Sequence, residues 1–358
     1  MTKKDLPQLN AYRAIAALSV CGFHFNIDSF FHNYFAIGWF YQLFFALSGF
    51  VIYLNYHEKL TTIDFTKKFI KKRFLRTYPL HLFFLIIFLA IEAFKYFIFL
   101  KLEIEANNEA FSKNNLEHFL YNFLFIQHFG DYYSFNNPSW SVSIEWILYF
   151  TFGILIFLLN KNLFLKIILI YTIIFLFFFN DYYQSTLGLG GTLGGFYSFG
   201  LGCLSCYMYI KFNIDGNKLL FKIIFWFFYF YLFFELFFLK GLSNIPYIYS
   251  LLFGLLFFLT SYVRNNGMLY RIFFNPLFML LGKLSYSIYL SHLFVFWSIT
   301  QVCRFVLKFP TKIDAIGKNT VLDMSYSEAN ILCFVAYIFT FILSYFTFNY
   351  IEMKFYKK

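Results

Sequence analysis

The sequence predicts an all-α polytopic membrane protein of about ten transmembrane helices with both termini cytoplasmic, on three observations. First, the 358 residues are 60% hydrophobic and only 13% charged, and 60 Phe with 30 Tyr exceed what a soluble core of this length can bury. Second, apolar runs near the ~20 residues a bilayer needs recur along the whole chain. Third, Lys and Arg concentrate on alternate inter-run segments. Helices are expected because lipid offers backbone groups no partner outside the segment. The Phe, Tyr, Lys and Asn bias also fits an AT-rich genome, so the aromatics carry little functional weight.

The spans are expected at 9–27, 34–56, 78–100, 140–159, 163–180, 191–211, 219–239, 244–263, 285–307 and 329–351. The first follows Lys3 and Lys4 and ends without a small-residue cleavage site, so it is expected to stay in place. With the N-terminus inside, the inner segments hold Lys3, Lys4, the run "EKLTTIDFTKKFIKKRFLR", Lys161, Lys166, Lys211, Lys218, Lys222, Arg264, Arg271, Lys283 and the closing "KFYKK". That is roughly twenty of the 29 basic residues. Topology therefore accounts for the net charge of +11, and no nucleic-acid partner is expected. Two outer segments are long: 101–139, with Glu103, Glu105, Glu109, Glu117 and Asp131, and 308–328, which mixes both signs. No internal repeat is visible, and residues 1–358 are expected to form one membrane domain without an appended soluble one. Cys203 and Cys206 form a CxxC inside "FGLGCLSCYMY", where small residues packing between helices is the reading favoured over a redox pair.

Four stretches carry chemistry. In the first span Arg13 and His24 are eleven residues apart, hence on one helical face and ~16 Å apart along the axis. Ionisable groups at such depth usually face a cavity or a partner. The alternatives are that Arg13 snorkels to the inner surface and His24 sits at the outer interface. In "NNPSWSVSIEWILYF", Asn-Asn-Pro-Ser is helix-start chemistry, and Ser141 and Glu145 share a face just inside the outer end of the fourth span. His24 and Glu145 are then expected at one depth. A carboxylate beside an imidazole raises its basicity and suits general-base activation of a hydroxyl; the alternative is a helix-dipole Glu beside an interfacial Trp.

In "KKFIKKRFLRTYPLHL", Arg73 and Arg76 are i and i+3 on a helix expected to end before Pro79. They serve as a topology anchor or as forks for the phosphates of a cytosolic ligand. The stretches "LFFALSGFVIY" and "LGKLSYSIYLSHLFVF" are read together. Ser48 and Gly49 signal close helix packing, and His292 falls in the inner half of the ninth span with Ser285 and Tyr289 nearby. A hydrogen-bonded structural role and a functional role are both open for His292. "LGLGGTLGG" lacks the following Gly-Lys-Ser/Thr and is no phosphate loop.

Together these stretches resemble the acyltransferase-3 family of integral membrane O-acyltransferases. That family pairs an Arg with a His ten intervening residues later, then shows LFFxLSGF, RxxRxxP, WSLSxE, LGxxSYxxYLxH and a terminal YIExP. Here stand Arg13 and His24, "LFFALSGF", Arg73-x-x-Arg76-x-x-Pro79, "WSVSIE", "LGKLSYSIYLSH" and "YIEMK", in the same order along the whole chain. Gln42 replaces the acidic residue usual before LFF, the Pro after Glu352 is missing, and no Arg precedes "GGFYSFGLG".

The resemblance implies an enzyme moving an acyl group, often acetyl, from cytosolic acyl-CoA to a hydroxyl of a surface or lipid-linked glycan. It implies no permanently bound cofactor, no metal, and a multi-pass place in a bacterial inner (cytoplasmic) membrane, with the lipid bilayer, acyl-CoA (acetyl-CoA in the common case) and a glycan or lipid-linked sugar as partners. His24 and Glu145 would be catalytic. Arg13, Arg73 and Arg76 would serve the donor, Trp140 and Ser141 would shape the acceptor side, and Tyr289 and His292 would complete the binding residues. Direct transfer with His24 as general base is preferred to an acyl-His intermediate, and both stay open. Two other classes use the same residues: a proton-coupled transporter, which often shows two related halves, and a non-catalytic membrane partner in glycan assembly.

Overall fold

The computed structural model describes residues 6–25, 27–35, 40–104, 106–129, 134–159, 190–237, 246–263, 271, 273–313 and 320–356. The expected span at 163–180, and Lys3, Lys4, Lys161, Lys166 and Arg264, lie outside the described residues. The described chain is overwhelmingly helical. Its helices are α1 Leu9–His24, α2 Phe30–Phe35, α3 Phe40–Tyr56, α4 Ile63–Leu102, α5 Leu116–Phe123, α6 Trp140–Leu159, α7 Gly190–Lys211, α8 Leu219–Phe237, α9 Pro246–Thr260, α10 Pro276–Gln301, α11 Tyr326–Thr347 and α12 Met353–Tyr356. Among the described residues five helical segments are long and apolar enough to cross a membrane: Ile63–Leu102, Asn137–Leu158, Leu219–Leu236, Pro276–Val306 and Tyr326–Phe355. Phe40–Tyr56 and Ile248–Thr260 are shorter apolar helices. Helix α8 exposes Leu219, Leu220, Phe227 and Phe230, a surface suited to hydrocarbon.

Helix α4 corrects one expectation. It runs unbroken for 40 residues with Pro79 inside it, where a helix ending before Pro79 was expected. Proline removes one N–H, and in an apolar helix neighbouring groups can satisfy what is left. Near the proline the Tyr286 hydroxyl donates to the Thr77 carbonyl at 2.6 Å. Helix α10 also starts earlier than the span at 285–307, because its first turns "PLFMLLGK" contain Gly282 and Lys283 and weaken the hydropathy signal. At 1.5 Å per residue, His292 stands about 24 Å into α10.

Backbone contacts divide the chain into two compact units, described one at a time. One comprises residues 1–20, 37–74 and 144–285. Its core is α3 against α7, with α9 beside both. The approach is so close that a Cβ on Gly49 would meet the Phe199 carbonyl oxygen at 2.0 Å, and one on Gly202 would meet the Ala46 oxygen at 1.9 Å. Only glycine allows two backbones this near. The Cys203 thiol points at the Gly49 carbonyl at 3.4 Å, and Cys203 and Cys206 are unbridged, as the small-residue packing reading expects.

The other unit comprises residues 21–36, 75–143 and 286–358. Here the long segment after α4 is tied down. The buried Glu92 carboxylate accepts from Lys95 Nζ, the Phe111 N–H and Asn114 Nδ2. It thereby holds the start of the segment that leads to α5, whose N-cap Asn115 accepts from the His118 N–H at 2.9 Å. Past α10 a π-helical turn, Val302–Val306, leads to a two-stranded antiparallel hairpin, β1 Thr311–Ile313 with β2 Thr320–Leu322. Helix α11 then starts on a Ser325–Glu328 capping box.

Candidate active site

Helix α1 delivers His24 at its last position, and α10 delivers the fully buried His292 from mid-helix. Their rings meet: His292 Nε2 lies 3.0 Å from His24 Nδ1, and the ring centroids are 5.0 Å apart. The proton positions follow from the partners. His292 Nδ1 sits 3.2 Å from the Ile288 carbonyl, which can only accept, so Nδ1 carries a proton. A neutral His292 then offers the Nε2 lone pair, and His24 Nδ1–H must donate to it. The basic nitrogen of His24 is therefore Nε2. Phe25, the next residue, stacks on Phe296 at 4.6 Å and packs 6.4 Å from the His292 ring.

The start of α6 is docked onto α10 beside this pair. Asn136 Nδ2 donates to the Leu290 carbonyl at 2.8 Å. Ser141 Oγ and Tyr289 Oη are 2.7 Å apart, one donating to the other, and each lies 3.1 Å from the Pro138 carbonyl, which accepts from the one whose proton is left. The Tyr289 ring lies edge-on to His292 at 6.1 Å. The sequence had singled out Ser141, Tyr289 and His292; it missed Asn136, whose signal is its place in "NNPSW" just ahead of the helix. Trp140 is half-buried, and its carbonyl accepts from Ser143 Oγ at 2.8 Å.

Glu145 belongs to a second cluster. Its Oε1 accepts from Ser48 Oγ at 2.5 Å and from the Tyr149 hydroxyl. Above the Tyr149 ring, at 5.7 Å, is the Arg73 guanidinium, which also faces the Tyr56 ring at 5.3 Å and the Phe69 ring at 5.8 Å. Arg73 is only 7% exposed, and its Nη2 donates to Tyr56 Oη at 3.1 Å. Ser48, Tyr149 and Tyr56 were not named as site residues: "LSG" reads as packing, and two tyrosines among thirty carry no signal. The structure thus brings His24 to His292 and Ser141 to Tyr289, and brings Glu145 to Ser48 and Tyr149 beside Arg73.

Arg13 is half-buried, with Nη1 3.2 Å from Asn10 Oδ1. Arg76 is half-buried on α4, three residues past Arg73 as the spacing required. Gln42 is buried in a neutral chain: Ser250 Oγ donates to its Oε1 at 3.2 Å and lies 2.6 Å from Ser198 Oγ. Glu352 accepts from Ser287 Oγ at 3.1 Å on the π-helical turn Phe348–Glu352.

Several helices long and apolar enough to cross a membrane, with an oriented histidine pair between α1 and α10, define a multi-pass membrane protein with polar groups buried among its helices. The sequence match makes the kind specific. Residues 6–349 match the family model Acyl_transf_3, an acyltransferase domain, so the chain belongs to the acyltransferase-3 family. It is an acyltransferase that transfers groups other than amino-acyl groups. No curated protein and no solved structure matches the chain.

Proposed function

We propose that this membrane acyltransferase moves an acyl group, acetyl being the expected one, from cytosolic acyl-CoA to a hydroxyl of a surface or lipid-linked glycan. In this reading ten spans cross a bacterial inner membrane with both termini in the cytoplasm, and no cofactor is permanently bound. The observation that carries the reaction is the 3.0 Å contact between His24 Nδ1 and His292 Nε2, anchored by the Ile288 carbonyl. It leaves His24 Nε2 as the base.

Nε2 takes the proton of the acceptor hydroxyl as that oxygen attacks the thioester carbonyl. Collapse of the tetrahedral intermediate breaks the C–S bond, and the imidazolium returns its proton to the coenzyme thiolate. His292 is a positioning residue: it fixes the tautomer of His24 and holds the ring. Ser141, Trp140 and Tyr289 shape the acceptor side. Arg73 and Arg76 hold donor phosphates, and Arg13, on the α1 face of His24, lines the coenzyme passage. Glu145, held by Ser48 and Tyr149, supports the reaction from beside Arg73.

Mass spectrometry of surface glycans from deletion cells, complemented with wild type or with His24→Ala, tests this reading. A fixed increment of one acyl group should vanish on deletion, return with wild type and stay absent with His24→Ala. Glycans identical in all strains would refute it.

A further inference from the structure

A cavity lies in the same unit as the histidine pair. It has a volume of about 570 Å³ and lies between α4 and α10, bordered by the segment after α4 and by the β1–β2 hairpin. Its wall on α10 continues from His292: Phe296 and Trp297 are about one turn further on. Phe296 is shared. It lines the cavity and stacks on Phe25, whose ring packs against His292, so two aromatic rings in series, Phe296 and Phe25, stand between this wall of the cavity and the His292 ring.

The lining is two-faced. Phe296 and Trp297 supply flat ring faces, while Asn108, Asn114 and Gln301 supply side-chain amides. A sugar ring has the matching surfaces, an apolar C–H face and a rim of hydroxyls. Pockets of mostly apolar wall with a few placed polar groups select ligands by those groups.

Charge narrows the ligand further. Among the described lining residues Glu92 is the carboxylate, and it is occupied: Lys95 Nζ stands 2.8 Å away, Asn114 Nδ2 2.9 Å and the Phe111 N–H 3.0 Å. Arg304 also lines the cavity, half-buried on the π-helical turn Val302–Val306 with its guanidinium over the Phe305 ring at 5.0 Å. Among the described residues no carboxylate stands within 4.0 Å of it. Among the described lining residues Lys95 offsets Glu92, which leaves the charge of Arg304. The planar fork of an Arg matches the paired oxygens of a phosphate or carboxylate.

We propose that this cavity seats the sugar acceptor of the transfer and selects one that carries a negative group, phosphate or carboxylate, placed against Arg304. The assignment of the cavity to the acceptor rests on the glycan acyltransferase reading above. The apolar side of the cavity, with Phe88, Ile91 and Phe94, suits a ligand whose sugar continues into an apolar tail.

Binding tests the cavity apart from turnover. The full-length protein, purified in a detergent without a sugar headgroup, is titrated with octyl β-glucoside, octyl β-glucuronide and octyl glucosyl phosphate. At least one anionic probe should bind ~10-fold or more tightly than the neutral one, the scale of one charged hydrogen bond. Whether glucuronide or phosphate binds better names the source of the charge. Arg304→Gln should erase the preference, Arg304→Lys should keep part of it, and Trp297→Leu should weaken all three probes alike. Probe binding should survive His24→Ala. Selective binding lost in Arg304→Gln supports the cavity even if no acyl group is transferred, in which case the reaction assigned to His24 falls instead. The inference is overturned if none of the probes binds, if the neutral probe binds as tightly as the anionic ones, or if Arg304→Gln and Arg304→Lys both keep the full wild-type preference.

Discussion

The two polar clusters, one in each unit, solve the problem of polarity among apolar helices in opposite ways. Around Glu145 the hydrogen bonds converge. Ser48 and Tyr149 both donate to the same carboxylate oxygen, and the neighbouring Arg73 is wrapped by three aromatic rings. Donors that converge on one acceptor fill its lone pairs and hold a charge still. Around His24 the bonds run in one direction, from His24 to His292 to the Ile288 carbonyl. A one-way chain stabilises no charge; it fixes a tautomer and delivers a basic nitrogen at its head. The first arrangement suits support and binding, the second proton transfer.

The largest expected effect is on the chain that runs one way. His24→Ala should lower turnover by ~10²–10⁴-fold, the range for a general base, while the protein still inserts. His292→Leu should cost ~10–100-fold in kcat, the scale for groups that orient a histidine, with little change in either KM. His292→Gln, which restores an acceptor near the Nε2 position, should recover part of the loss and shift the acid limb of the pH profile. Near-normal turnover of His24→Ala in purified protein would make the pair structural and erase the contrast.

The aromatic cage around Arg73 sharpens the comparison from the other side. If this cluster binds rather than reacts, Arg73→Gln should raise the apparent KM for acyl-CoA by ~10–100-fold, the loss of one charged hydrogen bond, and leave the acceptor KM unmoved. Arg73→Lys should rescue only partly, because an ammonium lacks the planar face that stacks on Tyr56 and Tyr149. Titration of acyl-CoA against correctly inserted variants measures this. Wild-type donor KM in both Arg73→Gln and Arg76→Gln would reduce the basic run to a topology anchor.

What was legible in the sequence divides along the same line. Spacing along one helix is written in the chain, so the shared face of Arg13 and His24 and the place of Glu145 early in α6 could be read directly. The expected span 140–159 matches α6 residue for residue. The partner across a helix interface is not written. His24 meets a residue 268 positions away, and only packing brings the two together. Local punctuation misled: Pro79 reads as a helix end in water, yet α4 passes through it. The hairpin at 311–322 and the eight-residue α5 were missed because short elements leave too few residues for a periodicity to show.

Acid separates chemistry from scaffold. His128, in the turn between α5 and α6, is 1% exposed, and its Nδ1 lies 3.0 Å from Ser143 Oγ. Burial pushes its pKa down from 6.5 to about 4. The unfolded chain therefore binds a proton between these values that the folded chain refuses. The resulting stability is fully present above about pH 6.5 and is lost as pH falls toward 4, by up to about 3 kcal/mol. His128→Asn should flatten the fall in thermal unfolding midpoint between pH 7.5 and pH 5. It should leave turnover at pH 7.5 unchanged, because His128 touches neither polar cluster's hydrogen bonds named above. Equal acid sensitivity of unfolding in both proteins would remove His128 as its source.

The smallest effect is expected at Glu145, and it tests the convergent cluster directly. Glu145→Gln keeps an oxygen where Oε1 stands, so the Ser48 and Tyr149 hydroxyls keep their acceptor and lose only its charge. Hydrogen bonds to a charged group contribute about 1.5–3 kcal/mol and neutral ones about 1 kcal/mol, so the exchange should cost about 1 kcal/mol and less than tenfold in turnover. Ser48→Ala and Tyr149→Phe each remove one donor and should each cost more when Glu145 is intact than when it is Gln. The cycle of single and double variants measures that difference, and a coupling near zero would mean that the convergence does not matter. A Glu145→Gln enzyme as slow as His24→Ala, with unaltered donor KM and thermal stability, would place the carboxylate among the reacting groups. The distinction between a cluster that supports and a pair that reacts would then have to be withdrawn.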